Sequence, residues 1–186
     1  FHPNGTRIWA TYYGGTGTDE GNSLTIDASG NIYMAGTTNS NSNISAEGFQ
    51  NALAGSKDAF LAKFDRNGNR LWATYYGGNS NETGLTVELD GTGHVYLAGS
   101  TTSSTGIASN GYQNASGGNV DAYLVKFDTT GGRIWATYFG GTGTDYGYFI
   151  TVDPFNNIYI TGSTSTVSGI STGGFEGNIG GGPSDA

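Results

Sequence analysis

One nine-residue phrase occurs three times in the chain at a fixed interval. It reads RIWATYYGG at 7–15, RLWATYYGG at 70–78 and RIWATYFGG at 133–141, which is a spacing of 63 residues. Other positions keep the same interval: Asp27, Asp90 and Asp153; Tyr33, Tyr96 and Tyr159; Gly36, Gly99 and Gly162. Repetition of this kind is the signature of a repeat architecture. The sequence therefore predicts one continuous domain of three units, at 1–63, 64–126 and 127–186, of which the last is incomplete.

Each unit carries the pattern of four short strands. In the first unit these are RIWATYY, NSLTID, NIYMAGTT and DAFLAKF, which are rich in β-branched and aromatic residues. The segments DASGN (27–31) and DRNGN (65–69) are typical of hairpin turns, because Asp bonds forward to turn amides and Gly accepts a positive φ. In the third unit, DPFNN (153–157) has Asn156 in place of that glycine, and Asn also tolerates the left-handed region.

The composition, with 34 Gly, 12 Tyr and 9 Phe among 186 residues, also favours an all-β protein with many turns. Four antiparallel strands per unit predict blades of a β-propeller. Propellers usually have 4–8 blades, so three units would be part of a larger propeller. A β-trefoil, which also has three repeats of four strands, is the alternative fold.

The ordered series WATYYGG, GTGTDEG, IDASGNIYMAGTT and DAFLAKFDRNGN resembles the bacterial secreted β-propeller repeat known as SBBP. The resemblance extends over essentially the whole chain, three times. It implies a propeller in an exported extracellular or cell-surface protein, in some cases one that uses the type IX secretion route. It implies no defined activity and no set of catalytic residues.

Charge and cysteine content exclude several partners. The formal net charge is −8 and the pI about 4.4, so no basic surface is expected for a nucleic acid. Without cysteine, disulfides and thiolate metal sites are excluded. No apolar run approaches the ~18 residues of a membrane span.

Two sets of polar residues are candidates for binding. One acid follows the double glycine of each unit: Asp19, Glu82 and Asp145. These carboxylates are candidates for cation or sugar binding, but a repeated acceptor for loop amides is the favoured interpretation, since Ca²⁺ takes 6–8 oxygens. The second set, Asp65, Asn67 and Asn69, has the spacing that opens a calcium loop. Tyr76 stands at the twelfth position, where such a loop needs an acid, so a hairpin turn is favoured.

Aromatic residues divide into a core set and a surface set. Trp9, Trp72 and Trp135 lie in predicted strands and are expected to be structural core between sheets rather than sugar platforms. Long polar insertions at 39–57, 103–120 and 167–184 separate the third and fourth predicted strands, and each carries one aromatic: Phe49, Tyr112 and Phe175. Insertions repeated on one side of an array often form its binding surface, so these three are the better binding candidates.

The sequence therefore predicts a non-enzymatic module without a cofactor, secreted or displayed on a bacterial surface. Its expected role is adhesion, with a protein or glycan partner. The alternatives are a structural subunit of a surface assembly, which would pair with further blades or with itself, and a carbohydrate-active enzyme. Nothing in the motifs assigns catalytic residues.

Overall fold

The computed structural model describes residues 1–175, 177, 179–180 and 182–186. The described residues contain ten β-strands, which fall where short alternating segments end at Asp-initiated turns. They are β1 (Asp19–Ile26), β2 (Ile32–Thr38), β3 (Asp58–Phe64), β4 (Arg70–Tyr76), β5 (Glu82–Leu89), β6 (Val95–Thr101), β7 (Asp121–Phe127), β8 (Arg133–Phe139), β9 (Asp145–Val152) and β10 (Ile158–Thr164). Among the described residues there is no helix that could span a membrane.

The strands form antiparallel sheets in simple sequence order. Strands β1 to β4 make one four-stranded sheet, β5 to β8 a second, and β9 pairs with β10 in a third. An isolated bridge between Thr164 and Asp185 lies where Asp58 and Asp121 begin the third strand of the other two sheets. Separate up-and-down sheets of this kind are propeller blades, so the β-propeller prediction is confirmed and the β-trefoil is excluded.

The sheets are offset from the sequence units. The tryptophan phrases at 70–78 and 133–141 supply the last strands of the first and second sheets, so the first sheet runs from Asp19 to Tyr76 and crosses the boundary at 63/64. The prediction of a strand at 7–13 is wrong, because that segment has no strand assignment and makes no ladder. Its counterparts β4 and β8 hydrogen-bond to β3 and β7, whereas no described strand lies beside 7–13.

The hairpins have the predicted turn chemistry. Gly30 and Gly68 have φ values of 81° and 86°. Asn156 takes the same place with φ 65°, which confirms that Asn replaces Gly in the third unit without loss of the turn.

The long insertions cover the outer edges of the first two sheets. Ala46 and Ala73 exchange two backbone hydrogen bonds of 2.8 Å, and the N–H of Tyr75 donates to the carbonyl of Gln50 at 3.0 Å. In the second sheet, Ser109 and Gln113 make the equivalent bonds to Ala136 and Tyr138. An uncovered edge strand is a template for aggregation, so these insertions protect β4 and β8. The predicted insertion at 167–184 includes residues 176, 178 and 181, which lie outside the described residues.

The core lies mainly between neighbouring sheets. One cluster joins Tyr33 and Trp72 of the first sheet to Leu97 and Phe127 of the second. Another joins Tyr96 of the second sheet to Ile150 of the third. Both faces of the middle sheet are thus covered, which explains why its strands are apolar or small on both sides.

Candidate functional site

The acids that follow each double glycine bind their own loop. The amides of Gly15, Gly78 and Gly141 donate to Asp19, Glu82 and Asp145, each at 2.8 Å. The other carboxylate oxygen accepts a hydroxyl from the last residue of the neighbouring strand: Thr38, Thr101 or Thr164. In the first and third units, the hydroxyl of Ser40 or Thr166 also donates to the oxygen that binds the glycine amide.

A second acid stands beside two of these carboxylates. Asp58 opens β3 and accepts hydrogen bonds from the amides of Ala54 and Gly55 and from the side chain of Gln50. A Cβ on Gly77 would lie 2.5 Å from Asp58 Oδ1 and 2.6 Å from Glu82 Oε2. At the next sheet junction, Asp121 and Asp145 flank Gly140 in the same way. We call Asp58–Glu82 and Asp121–Asp145 the junction acid pairs.

The junction acids are buried: Asp58, Glu82, Asp121 and Asp145 are at most 3% exposed. In the described part of the chain, none of these four forms an ion pair with a basic side chain. The acid that does so is Asp90, whose Oδ2 lies 3.3 Å from Lys126 Nζ. Burial raises the pKa of Asp58 and of Glu82, because desolvation of the charged form outweighs the hydrogen bonds that lower it.

Asp121 is the least satisfied of the four. Its Oδ2 accepts from Ser116 Oγ at 2.7 Å and from the amide of Gly117 at 3.1 Å. Its Oδ1 is buried and has no hydrogen-bond partner among the described residues. A Cβ on Gly140 would lie against this oxygen and against Asp145 Oδ2, so a glycine at this position leaves room for both carboxyl groups.

The metal candidates Asp65, Asn67 and Asn69 form a turn. Asp65 Oδ1 accepts the amides of Asn67 and Asn69 at 2.8 and 2.9 Å, and Oδ2 accepts the side-chain amide of Asn69 at 2.8 Å. These bonds lower the pKa of the Asp65 carboxyl. Among the described residues, no group of three or more His, Asp or Glu side chains could hold a metal ion.

Two of the three tryptophans donate a hydrogen bond to the carbonyl of a turn residue 57 positions further along the chain. Trp72 is 6% exposed, and its Nε1 donates to the carbonyl of Thr129 in the following sheet at 3.2 Å. Trp9 makes the equivalent bond to Arg66 at 3.1 Å, although it is 38% exposed. Trp135 packs on Tyr96 of its own sheet and is half-buried.

The insertion aromatics differ in exposure. The Phe49 ring lies 4.4 Å from the Arg133 guanidinium carbon and 6.5 Å from the Tyr76 ring, so it bridges the insertion to the second sheet. Tyr112 is 86% exposed and Phe175 is fully exposed. The three side chains therefore have different surroundings, although they stand at equivalent positions of the repeat.

This difference predicts unequal costs of truncation. Phe49→Ala is expected to lower the free energy of unfolding by about 1 kcal/mol, through loss of the cation–π and ring contacts. Tyr112→Ala, at the equivalent position, is expected to stay within about 0.5 kcal/mol of the parent protein. Urea unfolding monitored by tryptophan fluorescence measures both, and equal costs would show that Phe49 does not link the sheets.

A cleft that the sequence reasoning did not single out lies among the first strands of the sheets. Its volume is about 330 Å³, and its lining includes Lys57, Asn81, Thr83, Ser100 and Tyr146. Next to it, the rings of Tyr146 and Tyr148 stack at 5.9 Å between centroids with an angle of 10°. The sequence signal that could have indicated this cleft was a break in the repeat. The other units have Glu20 and Thr83 at the position of Tyr146. At the position of Tyr148 they have Asn22 and Leu85.

Comparison with known proteins agrees with the fold. The family model of the SBBP beta-propeller repeat matches residues 8–42 and 134–166. An uncharacterized WD repeat-containing protein of Acanthamoeba polyphaga mimivirus is 26% identical over 194 aligned residues, which cover 88% of this chain and 14% of that protein. The chain thus spans a small part of that relative's length. The sheet β5 to β8, most of which lies outside the matched ranges, pairs its strands as the sheet β1 to β4 does.

Proposed function

We propose that this chain, which carries SBBP β-propeller repeats, is a non-enzymatic interaction module of an extracellular or cell-surface protein, with a role in adhesion. The observation that carries the proposal is the way in which the repeats differ. The frame is repeated: the double glycines, the acids that follow them and the tryptophans recur in each unit. The exposed row on the first strands changes from Glu20 and Asn22 to Tyr146 and Tyr148.

This pattern suits recognition by a rigid scaffold. A frame held by sheet ladders and buried carboxylates orders the displayed side chains before a partner arrives, which lowers the entropy cost of binding. A structural array of identical contacts would instead keep its exposed side chains alike from unit to unit. The extracellular location rests on the family resemblance and on a surface rich in Ser, Thr, Asn and Gly.

The test is solid-phase binding of the purified chain to immobilised glycoproteins, before and after enzymatic removal of their glycans. Retention of the chain on either form, with saturation and a defined Kd, supports an interaction module. Failure to bind any member of the panel in either form contradicts the proposal.

A structural subunit is the second candidate, and a specific observation favours it. Leu24 and Ile26 on the open face of the first sheet are 64% and 65% exposed, whereas Val87, the counterpart of Leu24, is 3% exposed beneath the first sheet. The open face of the third sheet exposes Phe149 and Tyr159 at 66% and 56%. If these faces join copies head to tail, light scattering will show a mass that rises with concentration, and Leu24→Glu will abolish that rise.

A further inference from the structure

The tyrosine pair lies at an irregularity of the third sheet. Gly147 and Phe149 pair with consecutive residues of β10, so Tyr148 is the extra residue of a β-bulge. Asn22 and Leu85 are the bulged residues of β1 and β5. Bulges re-aim a side chain relative to the regular pleat. The third unit thus places an aromatic ring where the fold already directs a side chain away from the ladder.

In each sheet, the bulged residue of the first strand and the residue two positions before it form one row. The side chains of this row are exposed or half-buried in all three sheets. Glu20 and Asn22 are exposed although the second sheet covers the first, and the side-chain amide of Asn22 donates to the carbonyl of Gly84 at 2.9 Å. Thr83 and Leu85 are half-buried next to the third sheet. Tyr146 and Tyr148 are 37% and 40% exposed, as Glu20 and Asn22 are exposed at the same positions of the first sheet.

The cleft beside Tyr146 combines an aromatic wall with hydroxyl and amide groups. Thr83 Oγ1 and Ser100 Oγ lie 2.7 Å apart on one side, and Asn81 is exposed at the rim. Behind Tyr146, the hydroxyl of Tyr148 lies 3.0 Å from Ser163 Oγ, which fixes the ring that Tyr146 stacks on. A second cavity, of about 360 Å³, lies along β10. At the equivalent edge of the other two sheets, β2 and β6 pair with a third strand. This cavity therefore corresponds to the place of a third strand and is not taken as a ligand site.

We propose that this cleft binds a hexose unit of a neutral glycan. Tyr146 would stack on the C–H face of the sugar, and Thr83, Ser100 and Asn81 would bond its hydroxyl groups; Tyr148 positions the Tyr146 ring. Aromatic faces together with a few convergent polar groups are the usual composition of such a subsite. One lysine, Lys57, and one buried acid, Glu82, line the cleft, so an acidic sugar gains no net attraction from a chain of charge −8. The inference rests on the proposed interaction function.

The experiment is titration of the intact chain with soluble gluco-, manno- and galacto-oligosaccharides and with uronate oligomers, followed by calorimetry and saturation-transfer NMR. Tyr146→Thr introduces the residue that the second unit carries at this position, so the fold is expected to survive, and thermal unfolding checks this. We expect Tyr146→Thr to weaken neutral oligosaccharide binding about tenfold, which corresponds to about 1.4 kcal/mol, the upper part of the range for an aromatic contact. Tyr146→Phe should retain binding within about threefold.

Tyr12→Ala is the matched control, because it removes a fully exposed tyrosine that does not line the cleft and should leave the affinity unchanged. Absence of binding to every neutral oligosaccharide, preference for uronates, or full binding by Tyr146→Thr would each overturn the inference. Retention on glycoproteins stripped of their glycans, together with no binding to neutral oligosaccharides, would leave the interaction function standing and refute the glycan site alone.

Discussion

Gly77→Ala is expected to lower the free energy of unfolding by about 3 kcal/mol, the upper end of the usual cost of overpacking. The new Cβ would lie 2.5 Å from Asp58 Oδ1 and 2.6 Å from Glu82 Oε2. Neither carboxylate can move away cheaply, because Asp58 holds the 54–55 loop and Glu82 holds the amide of Gly78 and the hydroxyl of Thr101. A methyl group at this point would therefore strain the insertion and the double-glycine loop together.

Gly91→Ala is the control for this substitution. The nearest atom to its new Cβ would be Asn156 Oδ1 at 3.7 Å, an ordinary contact, and Gly91 has no positive φ. Such a change is expected to be neutral or to stabilise by about 0.5 kcal/mol through the unfolded chain. Urea unfolding followed by tryptophan fluorescence gives both values. If Gly77→Ala is as mild as Gly91→Ala, the junction acids have freedom that the structure does not show.

The frame of the fold could be predicted from the sequence because it is repeated. Positions such as Tyr33, Tyr96 and Tyr159 keep one interval, and turn residues such as Gly30 and Asn156 mark where strands reverse. These features are local or periodic, so they survive in a single sequence. The prediction of a strand at 7–13 was wrong because a strand forms only when it hydrogen-bonds to a neighbouring strand. The residues at 7–13 have the same pattern as those of β4, and this pattern does not reveal whether a neighbouring strand is present.

The candidate site was harder to predict because it depends on contacts between units. Glu82 was recognisable as a repeated acid, but its neighbour Asp58 is distant along the chain, and only the sheet junction brings them together. Phe49 and Tyr112 look equivalent in sequence, yet one packs on Arg133 and the other is exposed. The Tyr146–Tyr148 pair departs from the repeat, because the other two units carry non-aromatic residues at these positions. Reasoning from recurring residues does not detect a site that only one unit carries.

Stability is expected to be greatest in mild acid and to fall as the pH rises toward neutrality. The pKa values of Asp58 and Glu82 are raised in the folded state, above unfolded values near 4. A raised carboxyl pKa stabilises the fold below the unfolded pKa, and that contribution is lost as the pH rises through the folded value. We expect the melting temperature to fall by about 3–6 °C between about pH 5 and pH 8, measured by circular dichroism at constant ionic strength.

The aspartates of the hairpin turns have the opposite effect on stability at lower pH. Hydrogen bonds within their turns lower the pKa of Asp65 and Asp153, so their stabilisation is present above pH ~4 and is lost as the pH falls through the folded values.

Glu82→Gln should flatten the decline between about pH 5 and pH 8, since the amide keeps an acceptor for Gly78 without the charge. Asp153→Asn should alter only the limb below about pH 4, because its turn is exposed and far from the junctions. A melting temperature that climbs steadily from acid to neutral pH, or a decline that Glu82→Gln leaves intact, would show that the junction acids remain charged and are stabilised by some other group.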